Sequence, residues 1–280
     1  MTDTDRISEF IEYISATGVS DNTKQAYERD LRIAKRYLDD NGVCELADIG
    51  SADLMQYIEY ILEQGRSAAT VSRNIASMRR FFAFTHSRGY TFSDPSELLK
   101  APKVIRKTPD ILSEKDIRKL IGTVDQESIK GIRDRAILEL LAGTGISVSE
   151  ILALDMEDVD LRTRMMLLGD EKRRIELGKK LCDILKKYLN VRHKLAADAA
   201  ECEAFFLSCA GGRMSRQGLW KLIHLCGKNA GIENMTPKIL RHSFAVAALK
   251  HGKDVSTVQK MLGHTSRTGT MEYRSLADEL

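Results

Sequence analysis

Residues 236–273 read TPKILRHSFAVAALKHGKDVSTVQKMLGHTSRTGTMEY, and the punctuation of this stretch decides how the rest of the chain is understood. Thr236 followed by Pro237 is a helix start: the hydroxyl can accept from a first-turn amide, and proline at the first position forfeits no intrahelical donor. The helix it opens, over 237–250, carries Lys238 and Arg241 three residues apart, so both cations share a face and can address one anion. Asp254 caps a shorter helix over 255–262, Gly263 ends it, and His264 is left at the turn. Nine residues further on stands Tyr273.

Upstream, helical spacing continues with one interruption. Ser113 opens S-E-K-D, a cap with an acidic residue three positions later, and helices are expected over 114–123, 131–143, 149–154, 178–193 and 215–229. Between them, EDVDLRTRMMLLGDEKRRIEL at 157–177 holds two short apolar or alternating runs split by Gly169 and Asp170, the pattern of a small β-hairpin or sheet. Helices with a small antiparallel insert, and no glycine-rich phosphate loop, exclude a doubly wound nucleotide fold.

The first 95 residues read as four helices. Ile7, Phe10, Ile11 and Ile14 recur at helical spacing; Thr23 precedes a second pattern through Tyr27, Leu31, Ala34 and Leu38; a third runs from a cap at about Ser51 to Gly65. In the fourth, SAATVSRNIASMRRFFAFTHSRG, an apolar stripe of Val71, Ile75, Met78, Phe81 and Phe82 leaves Arg73, Arg79 and Arg80 to project elsewhere. Residues 94–110 hold three of the four prolines and four basic residues, including Lys103, Arg106 and Lys107. Proline breaks helix continuity there, so a linker over 96–110 separates domains at 1–95 and 111–280.

Charge is unevenly spread. Residues 1–65 carry six Lys/Arg against fourteen Asp/Glu, whereas residues 66–109 carry nine against two, within a chain of net charge +3. A basic segment in a nearly neutral protein suits local phosphate contact. With 43% apolar and 30% charged residues, the 280-residue chain can bury large cores, which excludes disorder and fibrous repeats. The five cysteines form no C-x-x-C pair, and the six histidines offer no metal-ligand spacing. There is neither a bilayer-length apolar run nor a secretory start, and the protein is expected to be cytoplasmic, with no membrane association.

TPKILRHSFA, MLGHTS and the downstream Tyr273, in that order, resemble the tyrosine recombinase or phage integrase family, Xer-like in type. DNTKQAYERDL and AATVSRNIASMRRFFAF resemble its core-binding domain, and LAGTGISVSEILALDMEDVDL at 141–161 its catalytic domain, so the likeness spans nearly the whole chain. The fold implied is mainly α with a small antiparallel β-sheet: an N-terminal four-helix core-binding domain followed by a catalytic-type domain. The resemblance further implies a site-specific recombinase that cuts and rejoins DNA through a 3′-phosphotyrosyl intermediate. Tyr273 would be the nucleophile, Arg241 a phosphate clamp, His264 a phosphate donor or proton partner and Lys238 a further cation. No cofactor or divalent metal is required. The implied partner is double-stranded DNA at a paired recombination site, bound as a dimer or tetramer, with or without another recombinase. Arg73, Arg79, Arg80, Lys103, Arg106, Lys107, Arg173 and Arg174 are the expected DNA contacts, the last two as a solvated basic edge.

Two positions depart from the family pattern. TGISVSE places Ser147 where the family has its first arginine, and the hairpin lysine aligns most simply with Leu168. Serine offers one neutral donor for a charged fork, and leucine cannot protonate a leaving group. Lys172 takes the acid role if the hairpin is shifted. Weakened activity is therefore expected, and a catalytically inactive DNA-binding partner or regulator of another recombinase is the alternative. Only seven residues follow Tyr273, so reciprocal docking of a C-terminal helix is not expected.

Overall fold

The computed structural model describes residues 3–104, 108–169, 172–195, 202–264 and 268–279. The chain divides into two compact units, Met1–Lys107 and Thr108–Leu280.

The first unit is a helical bundle of α1 (Asp3–Ser15), α2 (Asp21–Asp40), α3 (Ser51–Glu63) and α4 (Ala68–Ser87). α2 begins before Thr23 because Ser20 is its cap, accepting from the Thr23 amide at 3.3 Å. Ser51 is not the cap of α3: Gly50 holds that position, and its amide donates to Asp53 Oδ2 at 2.8 Å. α4 is the organising helix. Phe81 and Phe84 pack on the ring of Phe10 with centroids 5.6 and 5.7 Å away, and Tyr57 donates to Asn74 at 3.1 Å. Residues 96–102, expected to begin the linker, rest on this bundle. Leu99 is buried in its core, its carbonyl accepts from Arg79 Nη2 at 2.6 Å, and the Pro102 carbonyl accepts from Ser72.

The second unit surrounds α6 (Ile129–Thr144), whose Ala136, Ile137, Leu138, Leu140 and Leu141 are all buried. A helix apolar on so many sides must lie inside its domain, and α8 (Lys179–Arg192) and α10 (Pro237–Lys250) flank it. α5 (Glu114–Gly122) starts at the expected Ser113 cap, which accepts from the Asp116 amide at 3.1 Å. α6 starts two residues before the sequence expectation because Ser128 caps it. α7 (Val148–Ala153), α9 (Arg216–Ala230), α11 (Val255–Leu262) and α12 (Thr268–Glu279) complete the helices. Thr236 and Asp254 cap α10 and α11 as their sequence signals require.

The insert is a three-stranded antiparallel sheet in the order β1 (Val159–Asp160), β2 (Met165–Leu168), β3 (Arg173–Glu176). β1, only two residues long, carries too little periodicity to be read from sequence. Leu168 faces Arg173 and Met166 faces Ile175 across the β2–β3 ladder. Among the described residues no helix is long and apolar enough to cross a membrane.

Candidate active site

Four elements and one turn bring charged and aromatic side chains together in the second unit. Arg241 lies one turn into α10. Its Nη1 donates to the Gly145 carbonyl at 2.9 Å and its Nη2 to the Leu262 carbonyl, the last of α11, at 2.7 Å. Gly145 ends α6 at φ +65°, with Phe244 packed so closely that a Cβ there would lie 2.3 Å from its ring. The glycine thus lets the chain reverse beneath α10 and present its carbonyl to the arginine.

Ser147, two residues later, is committed to local structure. It caps α7 by accepting from the Glu150 amide at 3.2 Å, while Glu150 Oε2 accepts from the Ser147 amide at 2.7 Å. That carboxylate is the hub of the cluster: Oε2 lies 3.7 Å from Arg241 Nη1, and Oε1 pairs with Arg173 Nη2. Arg173 Nη1 also donates to the carbonyl of Met261, adjacent to the one that holds Arg241.

The placement of Arg173 corrects the expectation of a solvated edge. Side chains alternate along a strand, so Arg173 shares the inward face of β3 with the buried Ile175, while Arg174 is exposed on the other. The alternation of Arg173, Ile175 and Leu177 was the available signal; the three adjacent basic residues obscured it. Leu168, opposite Arg173, is 4% exposed and belongs to the core. Lys172 is exposed at φ +46°, and no hydrogen bond or ion pair joins it to Arg241, His264 or Tyr273. Lys238 is exposed on the first turn of α10, near enough to His242 for its charge to oppose protonation there.

His264 follows Gly263, which ends α11 at φ +69°. Its Nδ1 is 2.9 Å from the Thr270 hydroxyl, and its ring stacks toward Tyr273 at a centroid distance of 6.3 Å. Tyr273, on α12, is only 6% exposed, packed with Val246, Leu249, Val258 and Leu262, and lies 5.3 Å from the ring of His242. Burial pushes the phenol above its ordinary value and Arg241 partly opposes this. Burial lowers His264, and the charges of Arg241 and Arg173 lower it further. The Arg241 guanidinium is itself lowered by burial, with Glu150 opposing. Neutral imidazole and protonated phenol are thus the resting forms.

The expected basic surface of the first unit is more committed than its sequence implies. Arg73 forms a two-pronged pair with Asp30 at 2.7 and 2.9 Å, and Arg79 holds Leu99. Arg80 is exposed, 5.9 Å above the ring of Tyr27, and Lys103 is exposed. Arg106 and Lys107 lie outside the described residues. Among those described, no group of three His, Cys, Asp or Glu side chains is placed to hold a metal ion.

A helical bundle followed by a helical unit with a three-stranded insert, bearing arginine, histidine and tyrosine at one site, defines a class, and the chain belongs to it: the phage integrase family of tyrosine recombinases. Residues 110–279 match the phage integrase family and residues 7–89 its N-terminal SAM-like domain. Among its relatives are tyrosine recombinase XerD of Staphylococcus epidermidis, 36% identical over 95% of this chain and 92% of that one, and XerD of Listeria monocytogenes, 36% identical over 96% and 93%. The fold is similar to that of the Tn1549 transposon integrase, solved in complex with circular intermediate DNA, with a TM-score of 0.75 at 18% identity over 100% and 99% of the two chains.

Proposed function

We propose that the chain is a site-specific DNA recombinase that cuts and rejoins double-stranded DNA through a 3′-phosphotyrosyl link on Tyr273, with activity reduced relative to its family. The observation that carries this reading is the convergence of Arg241, His264 and Tyr273, from α10, the turn after α11, and α12. The relatives called recombinases support it.

In the reaction, Tyr273 Oη bonds to the scissile phosphorus as the bond to the 5′ oxygen breaks; the phenolic proton leaves and the departing oxygen gains one. A second DNA 5′ hydroxyl reverses the step, so no external energy source is needed. Arg241, already oriented by two carbonyls, neutralises nonbridging oxygens as charge gathers on them. The phenol rests protonated and needs a base during attack; His264 is neutral, with Nδ1 held by Thr270, which leaves Nε2 for proton transfer or for a phosphate oxygen. Lys238 supplies a second cation at the mouth of α10. With Leu168 in the core, Lys172 is the remaining hairpin amine for the leaving oxygen, and its exposed position makes that step slow. Arg80, Lys103, Arg106, Lys107 and Arg174 contact phosphates on a paired site, where the protein works as a dimer or tetramer, alone or beside another recombinase.

A second reading, a non-catalytic DNA-binding partner, is favoured by Ser147 and Leu168 both being used for local structure. A nicked DNA fragment carrying the cognate site separates the two. The recombinase reading expects a covalent protein–DNA adduct on a denaturing gel that Tyr273→Phe abolishes. Tight, site-specific binding without adduct would establish the partner instead.

A further inference from the structure

We propose that Arg173 is a second phosphate-directed guanidinium of this site, supplying from β3 the charge that Ser147 does not, with Glu150 as the positioning carboxylate for both arginines. The inference rests on the reading of Tyr273 as nucleophile for its catalytic part, and on geometry alone for its anion-binding part.

Three observations carry it. Arg173 and Arg241 approach the two oxygens of one carboxylate, Arg173 at Oε1 and Arg241 nearest Oε2. They also donate to consecutive carbonyls, Met261 and Leu262, at the C-terminal end of α11, where unpaired helix carbonyls and the helix dipole favour cations. Two guanidiniums therefore converge on one carboxylate, leaving one positive charge in surplus at a half-buried location. Each arginine has five N–H donors and uses only some of them on these anchors. Finally, the backbone is shaped around Arg173: a Cβ on Gly263 would stand 3.0 Å from its Nε and 3.2 Å from its Cζ. The residue after that glycine is His264, whose imidazole feels both arginines.

A surplus cation held rigidly beside Arg241 and His264 fits a tetrahedral oxyanion. A planar guanidinium with free N–H groups can grip two of its oxygens, and a second one beside Arg241 adds the charge and donors that the remaining oxygens need. Ser147 cannot serve in that way, since its hydroxyl accepts at the cap of α7 and has only one neutral O–H to donate. The first arginine of the family thus has its charge replaced from a different element, and the two apparent losses at Ser147 and Leu168 are not equivalent: the charge at the phosphate is retained, and only the hairpin amine is displaced.

The test compares wild type, Arg173→Gln, Arg173→Lys and the double variant Arg173→Gln/Glu150→Gln, each checked for folding by its urea midpoint. Adduct formation on nicked cognate DNA and DNA affinity are measured separately. Arg173→Gln is expected to slow adduct formation by about 10² to 10³-fold at saturating DNA, the loss typical of one transition-state donor, with Arg173→Lys intermediate. The double variant should be at least as slow as Arg173→Gln, because Glu150 also positions Arg241. Recovery of the wild-type rate in the double variant would reduce Arg173 to a counter-ion for Glu150 and overturn the proposal; so would a wild-type rate in Arg173→Gln. If the wild-type protein forms no adduct, the recombinase reading has failed, and titration with inorganic phosphate decides the rest. Saturable NMR shifts of the His264 ring on adding phosphate, lost in Arg173→Gln, support the anion site; His264 shifts unchanged by that substitution, or none, sink it.

Discussion

His242 shows how one side chain's surroundings become a property of the whole protein. It is buried against Tyr273, its Nδ1 lacks a hydrogen-bond partner, and burial, with Lys238 and Arg241 adding, brings its pKa down to about 4; a bond to the Asp110 backbone opposes only in part. An unfolded histidine takes its proton near pH 6.5, so between that value and about 4 the unfolded chain holds the extra proton and stability drops as the pH drops. The contribution is intact above pH 6.5. In urea unfolding, wild type should lose about 2 kcal/mol more than His242→Gln on going from pH 7.5 to pH 5. An equal loss in both would remove His242 from the acid response. Gly263 yields a second expectation at this scale. Its φ of +69° penalises any L side chain by about 1–2 kcal/mol, and a Cβ meets Arg173. Gly263→Ala should lower the urea midpoint and slow adduct formation together.

Elements decide which of these residues could be foreseen. Caps are short-range chemistry, so Ser113, Thr236 and Asp254 were legible, and with them the starts of α5, α10 and α11. Ser20, Ser128 and Gly50 were not, because several polar residues compete before each of those helices and the winner depends on how the chain enters the bundle. The convergence of Arg241, Glu150 and Arg173 was legible only in part: Arg241 by its helix, while the alternation that turns Arg173 inward was hidden in a run of three basic residues, and their meeting depends on the end of α11 lying between them. Gly145 is where two elements interlock. Gly145→Ala would place a methyl 2.3 Å from Phe244 while forcing φ +65°, and a loss of about 2–4 kcal/mol in urea unfolding is expected from clash and strain together. A cost under about 1 kcal/mol would mean that Phe244 moves freely and that the turn is not what holds Arg241.

For the molecule as a whole, local charge density was an incomplete guide. The segment 66–109 is strongly basic in sequence, yet Arg73 answers Asp30 of the acidic helices and Arg79 serves the backbone at Leu99. Arg73→Ala would strand Asp30, 3% exposed, without its fork, and should cost about 1–3 kcal/mol of stability. Replacing the exposed Arg80 and Lys103 by alanine should instead leave stability unchanged and flatten the salt dependence of DNA binding. The slope of log K against log salt is expected to fall by roughly 0.9 for each phosphate that is no longer neutralised. Interior use of two basic side chains bears on how such a protein would find its site. Grip on arbitrary sequence comes almost wholly from backbone phosphates, so every arginine turned inward shortens the stay on random DNA. Each basic side chain turned inward would thus shorten sliding excursions and leave more of the residence time to be set by the sequence the protein reads.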